Sequence, residues 1–388
     1  MSHPISVVFG KEFKDGRRDK RAVMSAFLFP FFAPMIVYFM MTAIIELRTD
    51  SDTLIIPVVG SEYAPSLMQW LQERDVRIEE FVGDPEESVR NKEHELILII
   101  PSDYQQRLAK LRTIPIEIVN DGSRTDARTK VNRAHELLRR YNQEIASLRL
   151  ISRGVSPSIA RVISSRNVDV ASKQQRTAQA LNFIPLYILL SAFVSGMGIA
   201  VDSTAGERER KTLEPLILNP VERHHIVMGK WLAASLFSAV GMITTLLLCV
   251  FAMTLVPLDQ IGLAFHLNAV QITLLTLAVL PLPFLATSMQ LLLGIFAKSF
   301  KDAQSYIGLL TLMPVIPSMY LMFNPMVTQD WMFAIPMLGQ HLLMVDVMGG
   351  KEVPFIAYIY SGFSCLVLGM ALVLVTARLF QRESMISN

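Results

Sequence analysis

Six stretches of this chain, each twenty or more residues long, contain no Asp, Glu, Lys or Arg. A helix rises about 1.5 Å per residue, so about twenty apolar residues cross the roughly 30 Å hydrocarbon layer of a bilayer. Lipid offers the backbone no hydrogen-bond partners, so runs of this length must be closed helices. The fold class implied is an α-helical polytopic membrane protein with six transmembrane helices. Charged residues make up 18% of the 388, against about 25% in an ordinary soluble domain. The net charge of +2 gives no footprint for nucleic acid. Cys249 and Cys365 lie within apolar runs and read as small buried hydrophobes rather than a disulfide or a metal pair.

Basic residues set the orientation. Residues 1–21 form a cytoplasmic amphipathic helix, with Ile5, Val8, Phe9 and Phe13 at helical spacing, suited to the membrane surface. Lys11, Lys14, Arg17, Arg18, Lys20 and Arg21 hold this end in the cytoplasm by the positive-inside rule. The first membrane helix, 22–46, is too long for a signal-peptide core, lacks a cleavage pattern and reads as an uncleaved anchor. Pro30 and Pro34 within it predict a kink or a neighbouring-helix contact. The second helix, 178–201, returns inward with Ser191, Ser195, Gly196, Gly198 and Ala200 on a small-residue face open to close approach. Residues 231–380 carry helices three to six, at about 231–256, 270–297, 304–323 and 354–377. Segment 324–352 is too apolar for a free loop and too broken for a span, so it reads as re-entrant or interfacial on the outer side. Arg378 and Arg382 place the tail, 381–388, in the cytoplasm, so both termini are cytoplasmic.

Residues 47–177 differ in character. Strand-like TLIIPVVG, VRIEEFV, ELILIIP and IPIEIVN alternate with helical segments, one of them opening at Asp84-Pro85 with the aspartate as N-cap. That order predicts an α/β domain, inserted between the first and second membrane helices, with partly parallel strands. By its place after an outward span it is extracytoplasmic. A long helix over about 125–153 carries the stripe Val131, Ala134, Leu138, Tyr141, Ile145, Leu148, which packs either on the domain's own sheet or as a dimer seam.

The remaining chemistry sits in the cytoplasmic loop 202–230, dense in charges of both signs. GERERKT (206–212) is not a phosphate loop, because no glycine precedes the lysine and a span rather than a strand leads in. His224 and His225 are adjacent rather than four apart, so one helix face does not present both to a metal. No hydrolase constellation is present, and no span carries an ionisable residue at its centre, as ion-coupled carriers commonly do. Asn182, Thr244, Thr245, Ser288 and Gln290 read as helix-packing polar residues. Ser203 or Thr204 capping a short helix, with Leu213, Leu216 and Ile217 as an apolar edge, makes the loop a docking element for a soluble partner.

At these residues the chain resembles the permease subunits of ATP-binding-cassette exporters, specifically the NatB-like sodium-efflux permease group. The family pattern, E-[KR]-E-[RK]-x-T-L-E, then Pro-Val, then Gly-Lys at the next span, is matched by Glu207, Arg208, Glu209, Arg210, Thr212, Leu213, Glu214, Pro220, Val221, Gly229 and Lys230. Lys211 stands where glycine is commoner. The layout of one span, an outer α/β domain and five further spans is also similar. The resemblance implies an exporter permease in the plasma (inner) membrane, a homodimer whose path runs between the copies along the second and fifth spans. It implies a separate ATPase subunit that binds ATP and Mg and docks on the coupling region 206–225. The docking residues so implied are Glu207, Arg208, Glu209, Arg210, Thr212, Leu213, Glu214, Pro215, Pro220 and Arg223. The chain itself would then carry no catalytic residue, cofactor or metal. The outer domain either meets a periplasmic or cell-wall partner or caps the exit. The alternative is a membrane-anchored extracytoplasmic binding or assembly protein without transport activity, for which 47–177 is the functional part.

Overall fold

The structure, a computed structural model, describes residues 4–49, 54–160, 171–212, 221–324 and 328–380. The chain divides into two compact units, residues 1–44 with 170–388, and residues 45–169. Six helices in the described residues are long and apolar enough to cross a membrane. They begin with α2 (Lys20–Thr49), which comes after the short α1 (Pro4–Arg18). Pro30 and Pro34 do not interrupt α2. Its buried positions Ala22, Ala26, Pro30, Ala33, Val37, Met41 and Ile45 recur every three or four residues and make one stripe toward the bundle. Leu28, Phe31, Phe32, Met35 and Phe39 face outward, as a lipid-facing surface requires.

In the other unit, β1 (Leu54–Val59), α3 (Pro65–Gln72), β2 (Val76–Glu80), α4 (Pro85–Arg90), β3 (Leu96–Ile99), α5 (Tyr104–Ala109) and β4 (Glu117–Asn120) alternate, and α6 (Thr125–Ile151) closes the series. The sheet order is β2-β1-β3-β4; β1 is parallel to β2 and β3, and β4 runs antiparallel to β3. Asp84 caps α4 by accepting from the Glu86 and Glu87 amides. The first half of the α6 stripe packs on its own sheet: Ala134 and Leu137 are buried in the core with Leu54, Ile56 and Leu98, and Val131, Leu138 and Tyr141 pack against it. Further along, Leu148 is exposed.

The second span is preceded by a separate short helix, α7 (Lys173–Ala180), opened by a Ser172–Gln175 capping box. A turn at 181–183 then leads into α8 (Ile184–Val201), with Pro185 in its first turn. The span therefore enters at Ile184, six residues later than the start at 178 expected from sequence. The small-residue face of α8 does what its composition predicts. A Cβ at Gly196 would lie 2.8 Å from Thr287 Cγ2, and one at Gly198 2.7 Å from Ser25 Oγ, so close approach depends on glycine there. The short α9 (Glu207–Glu209) precedes span three, α10 (Arg223–Leu255), a helix of 33 residues. The fourth span is two helices, α11 (Ala269–Val279) and α12 (Leu282–Phe296), broken beside Pro281. The fifth is likewise divided, α13 (Phe300–Leu310) and α14 (Val315–Phe323), with Pro314 at the break. Proline lacks the amide that would continue the ladder, so both breaks have a local cause. Polar side chains of the spans are engaged in packing: Gln290 donates to Phe193 O at 2.5 Å, and Thr244, Thr245 and Ser288 bond to carbonyls of their own helices.

The segment after α14 contains a 3₁₀ turn, Asp330–Ala334, and α15 (Leu338–Met348), which is buried along most of its length. Gln340 donates to Ser361 O and to Cys365 Sγ on α16 (Phe355–Leu379), the sixth span. The His341 ring bridges Ser318 Oγ at 3.0 Å and Asn182 Oδ1 at 2.8 Å, tying α15 to the end of the fifth span and the head of the second.

Candidate functional site: a buried ionic junction at the polar loop

Span two does not stop at Val201. A π-helical turn, Asp202–Gly206, carries it into α9. Ser203 and Thr204, expected to cap a new helix, instead donate back to Ala200 O at 3.3 and 2.6 Å, because the helix has not ended. A π-turn inserts an extra residue and re-aims the helix beyond it. The first residue beyond this one is Glu207, which is buried.

Glu207 is expected from sequence to face a docking partner, yet its carboxylate is engaged inside the molecule. Oε1 accepts from Lys11 Nζ at 2.7 Å and Oε2 from Lys230 Nζ at 2.6 Å. Lys230 also donates to Glu12 Oε1 at 3.0 Å, as does Lys11. Two carboxylates and two ammoniums thus close a junction between α1, α9 and α10. The side chain of Lys230 is 2% exposed, Glu12 7% and Glu207 8%, whereas Lys11 reaches solvent at 45%. Partial burial works to lower the Lys11 pKa, but its hydrogen bond to Glu207 and the charges of Glu12 and Glu207 outweigh that and hold it above the ordinary lysine range. Buried charges persist only when paired and hydrogen-bonded, a condition met here by balance of charge.

Glycines let α1 come this close. A Cβ at Gly229 would lie 2.6 Å from Val8 Cγ1 and 3.0 Å from the Phe9 amide, and one at Gly16 2.7 Å from Ile199 Cδ1. Phe13 packs against Phe237 at 5.6 Å between ring centroids. The helix expected to lie on the membrane surface therefore has its Val8–Glu12–Gly16 face turned to the bundle, because that face carries a charge whose partner is on α10. In the Gly229-Lys230 pair the glycine admits α1 and the lysine ties it to Glu207.

The rest of the loop is fastened as well. Arg208 Nη1 donates to Ile295 O at 3.1 Å and Ala297 O at 3.0 Å, at the end of α12. Glu209 accepts the Phe300 amide at 2.9 Å, at the start of α13. Arg210 pairs with Asp202 and donates to Gly206 O. Lys211 is left-handed, φ 58°, and the Thr212 amide bonds to Glu207 O at 3.0 Å, the six-to-one bond of a helix-ending Schellman motif. That motif favours glycine, so Lys211 holds a backbone conformation in which a Cβ is strained. Arg223 donates to Phe380 O at 3.1 Å, joining the first turn of α10 to the last turn of α16. Glu209, Arg210, Lys211 and Thr212 are exposed. Leu213, Glu214, Pro215 and Pro220, with the expected apolar edge Leu216 and Ile217, lie outside the described residues.

Beside the junction a cavity of about 580 Å³ opens between α2, α8 and α13, lined in part by Ala22, Ser25, Met197, Asp202, Glu209 and Phe300. Sequence reasoning missed Lys11 and Glu12 as site residues. The available signal was a glutamate on the face that Val8 and Gly16 share, one helical turn from each.

A family model described as an ABC-2 family transporter protein matches residues 20–379. The chain is 25% identical over 379 residues, 96% of its own length and 97% of the relative's, to the ABC transporter permease protein NatB of Bacillus subtilis (strain 168). A permease of this class is itself not catalytic and implies an ATP-binding partner subunit. Taken with six membrane-crossing helices, the match over nearly the whole length establishes that this chain is a multi-pass membrane permease of the ABC-2 transporter family.

Proposed function

We propose that the chain is an exporter permease that moves substrate out of the cytoplasm, driven by ATP hydrolysed in a separate ATPase subunit docked on residues 206–225. The observation that carries this reading is the fastening of the loop. Glu207 is ionically tied to α1 and α10, Arg208 and Glu209 bond to the α12–α13 turn, and Arg223 bonds to the end of α16. A solvated connector needs none of these bonds. A loop that receives force needs all of them, since displacement must reach several spans together rather than dissipate in side chains. ATP and Mg belong to the partner, and two copies of this chain flank the path. The loop and both termini are cytoplasmic, and the α/β unit is extracytoplasmic.

With Glu207 engaged internally, docking falls to the outward residues Glu209, Arg210, Lys211 and Thr212 and to the segment that includes Leu213, Glu214, Pro215 and Pro220. Arg208, Glu207 and Arg223 act behind that surface by positioning it. The test is cross-linking in a complex reconstituted with its ATPase subunit. Lys211→Cys and Thr212→Cys should each cross-link to the ATPase, while Lys351→Cys, far along the chain in a different segment, should not. A complex that co-purifies yet cross-links from neither loop position would place docking elsewhere.

A further inference from the structure

One cluster within the loop has no role of its own in the coupling reading. Glu222 is the N-cap of α10, and His224 and His225 fall in its first turn. Adjacent residues on a helix diverge by about 100°, which argues against a shared ligand. At this helix start the geometry differs from that expectation. The two imidazole centroids are 3.9 Å apart, and one carboxylate oxygen, Glu222 Oε2, lies 3.1 Å from His224 Nδ1 and 4.0 Å from His225 Nδ1. One ligand atom from each residue fits within 4.8 Å of the others. The intervening Arg223 donates to Phe380 O, which turns one of its guanidinium nitrogens toward the end of α16.

From this convergence we infer that Glu222, His224 and His225 form a binding site for a divalent transition-metal ion of the Zn²⁺ type. Two imidazoles and a carboxylate are the ligand types Zn²⁺ takes, and three protein ligands leave a fourth position for water. Imidazole selects this class over Mg²⁺ or Ca²⁺, which prefer all-oxygen shells. The carboxylate supplies the negative charge that offsets the unfavourable field of a helix N-terminus on a cation. A bound ion would pin Glu222, the residue before α10, to the first turn of that helix. The site stands whether or not the loop docks an ATPase.

The experiment is calorimetric titration of Zn²⁺ into the full chain in detergent, purified without a polyhistidine tag, with Co²⁺ absorption as a second readout. The expected result is one equivalent per chain and the intense visible bands of four-coordinate Co²⁺. His224→Ala, His225→Gln and Glu222→Gln should each weaken binding by more than about tenfold, since loss of outer-shell partners alone costs about that much. His266→Ala, at an exposed and distant position in the chain, should bind as the parent does. His224 and Glu222 are substantially exposed, so those variants should fold, and thermal unfolding without metal would verify it. The proposal is overturned by saturating Zn²⁺ binding that the three variants leave unchanged, by no binding above that of the His224→Ala, His225→Gln double variant, or by equal preference for Mg²⁺.

Discussion

Replacing Lys230 with methionine isolates the junction. The side chain keeps an unbranched apolar stem, one atom shorter, but loses its charge, leaving Glu12 and Glu207 buried with only Lys11 between them. Lys230 is 2% exposed and donates to both carboxylates, so its removal leaves buried charge uncompensated. Removing one partner of a buried ion pair costs about 3–5 kcal/mol. Lys11 makes contacts of similar length, yet its side chain is 45% exposed, so Lys11→Met should cost about 1 kcal/mol or less, as solvent-screened pairs do. Adding Glu207→Gln to Lys230→Met removes the stranded charge and should recover about 1–3 kcal/mol, a coupling expected of residues in one network. The assay is reversible unfolding in mixed micelles, monitored by tryptophan fluorescence, because Trp231 adjoins the lysine and is itself buried. Equal costs for the two lysines, or a double variant whose loss is the sum of the singles, would falsify the claim that these four charges act as one buried unit.

The same geometry predicts three further outcomes. Gly229→Val places a side chain against Val8 and the Phe9 amide, and should cost about 1–3 kcal/mol by overpacking; undocking of α1 would be read as faster tryptic cleavage at the exposed Lys14, Arg17 and Arg18. Arg208→Ala strips the donor from two carbonyls at the α12–α13 turn and should destabilise by about 1–3 kcal/mol in the same unfolding assay. Lys211→Gly relieves a left-handed Cβ, a strain of about 1–2 kcal/mol, against the greater freedom glycine gains when unfolded, so it should be neutral or stabilise by about 0.5–1 kcal/mol, whereas Lys211→Val should destabilise.

The spans are legible in the sequence because lipid imposes a rule that acts locally: an uncharged run of sufficient length must be helix. The four strands are legible for a related reason, since alternation and short apolar runs between turn residues act over about five to eight positions. The breaks are less legible, since proline alone does not mark them: helices part beside Pro281 and Pro314, yet α2 runs through Pro30 and Pro34. The junction does not. Glu12 on the packed face of α1 is anomalous by itself and makes sense only through Lys230, 218 residues away. Glu207 is likewise a docking charge by pattern and a structural charge by contact, and the π-turn at Asp202–Gly206 that turns it inward has no sequence signature. The family resemblance did mark Gly229 and Lys230, but as a pattern without a reason; contact with Val8 and the ion pair with Glu207 supply one.

The central claim is that α1, the loop and the head of α10 move as one body when the ATPase subunit engages. Spin labels at Lys14→Cys and Lys211→Cys, in complexes carrying one labelled permease copy, test it directly by electron-electron distance measurement with and without a trapped ATP transition-state analogue. The account predicts that this distance stays within about 2 Å while the distance from Lys211→Cys to a label at Ile316→Cys, on α14 beyond the Pro314 break, changes by more; a shift between the Lys14 and Lys211 labels larger than that between Lys211 and Ile316 would contradict it.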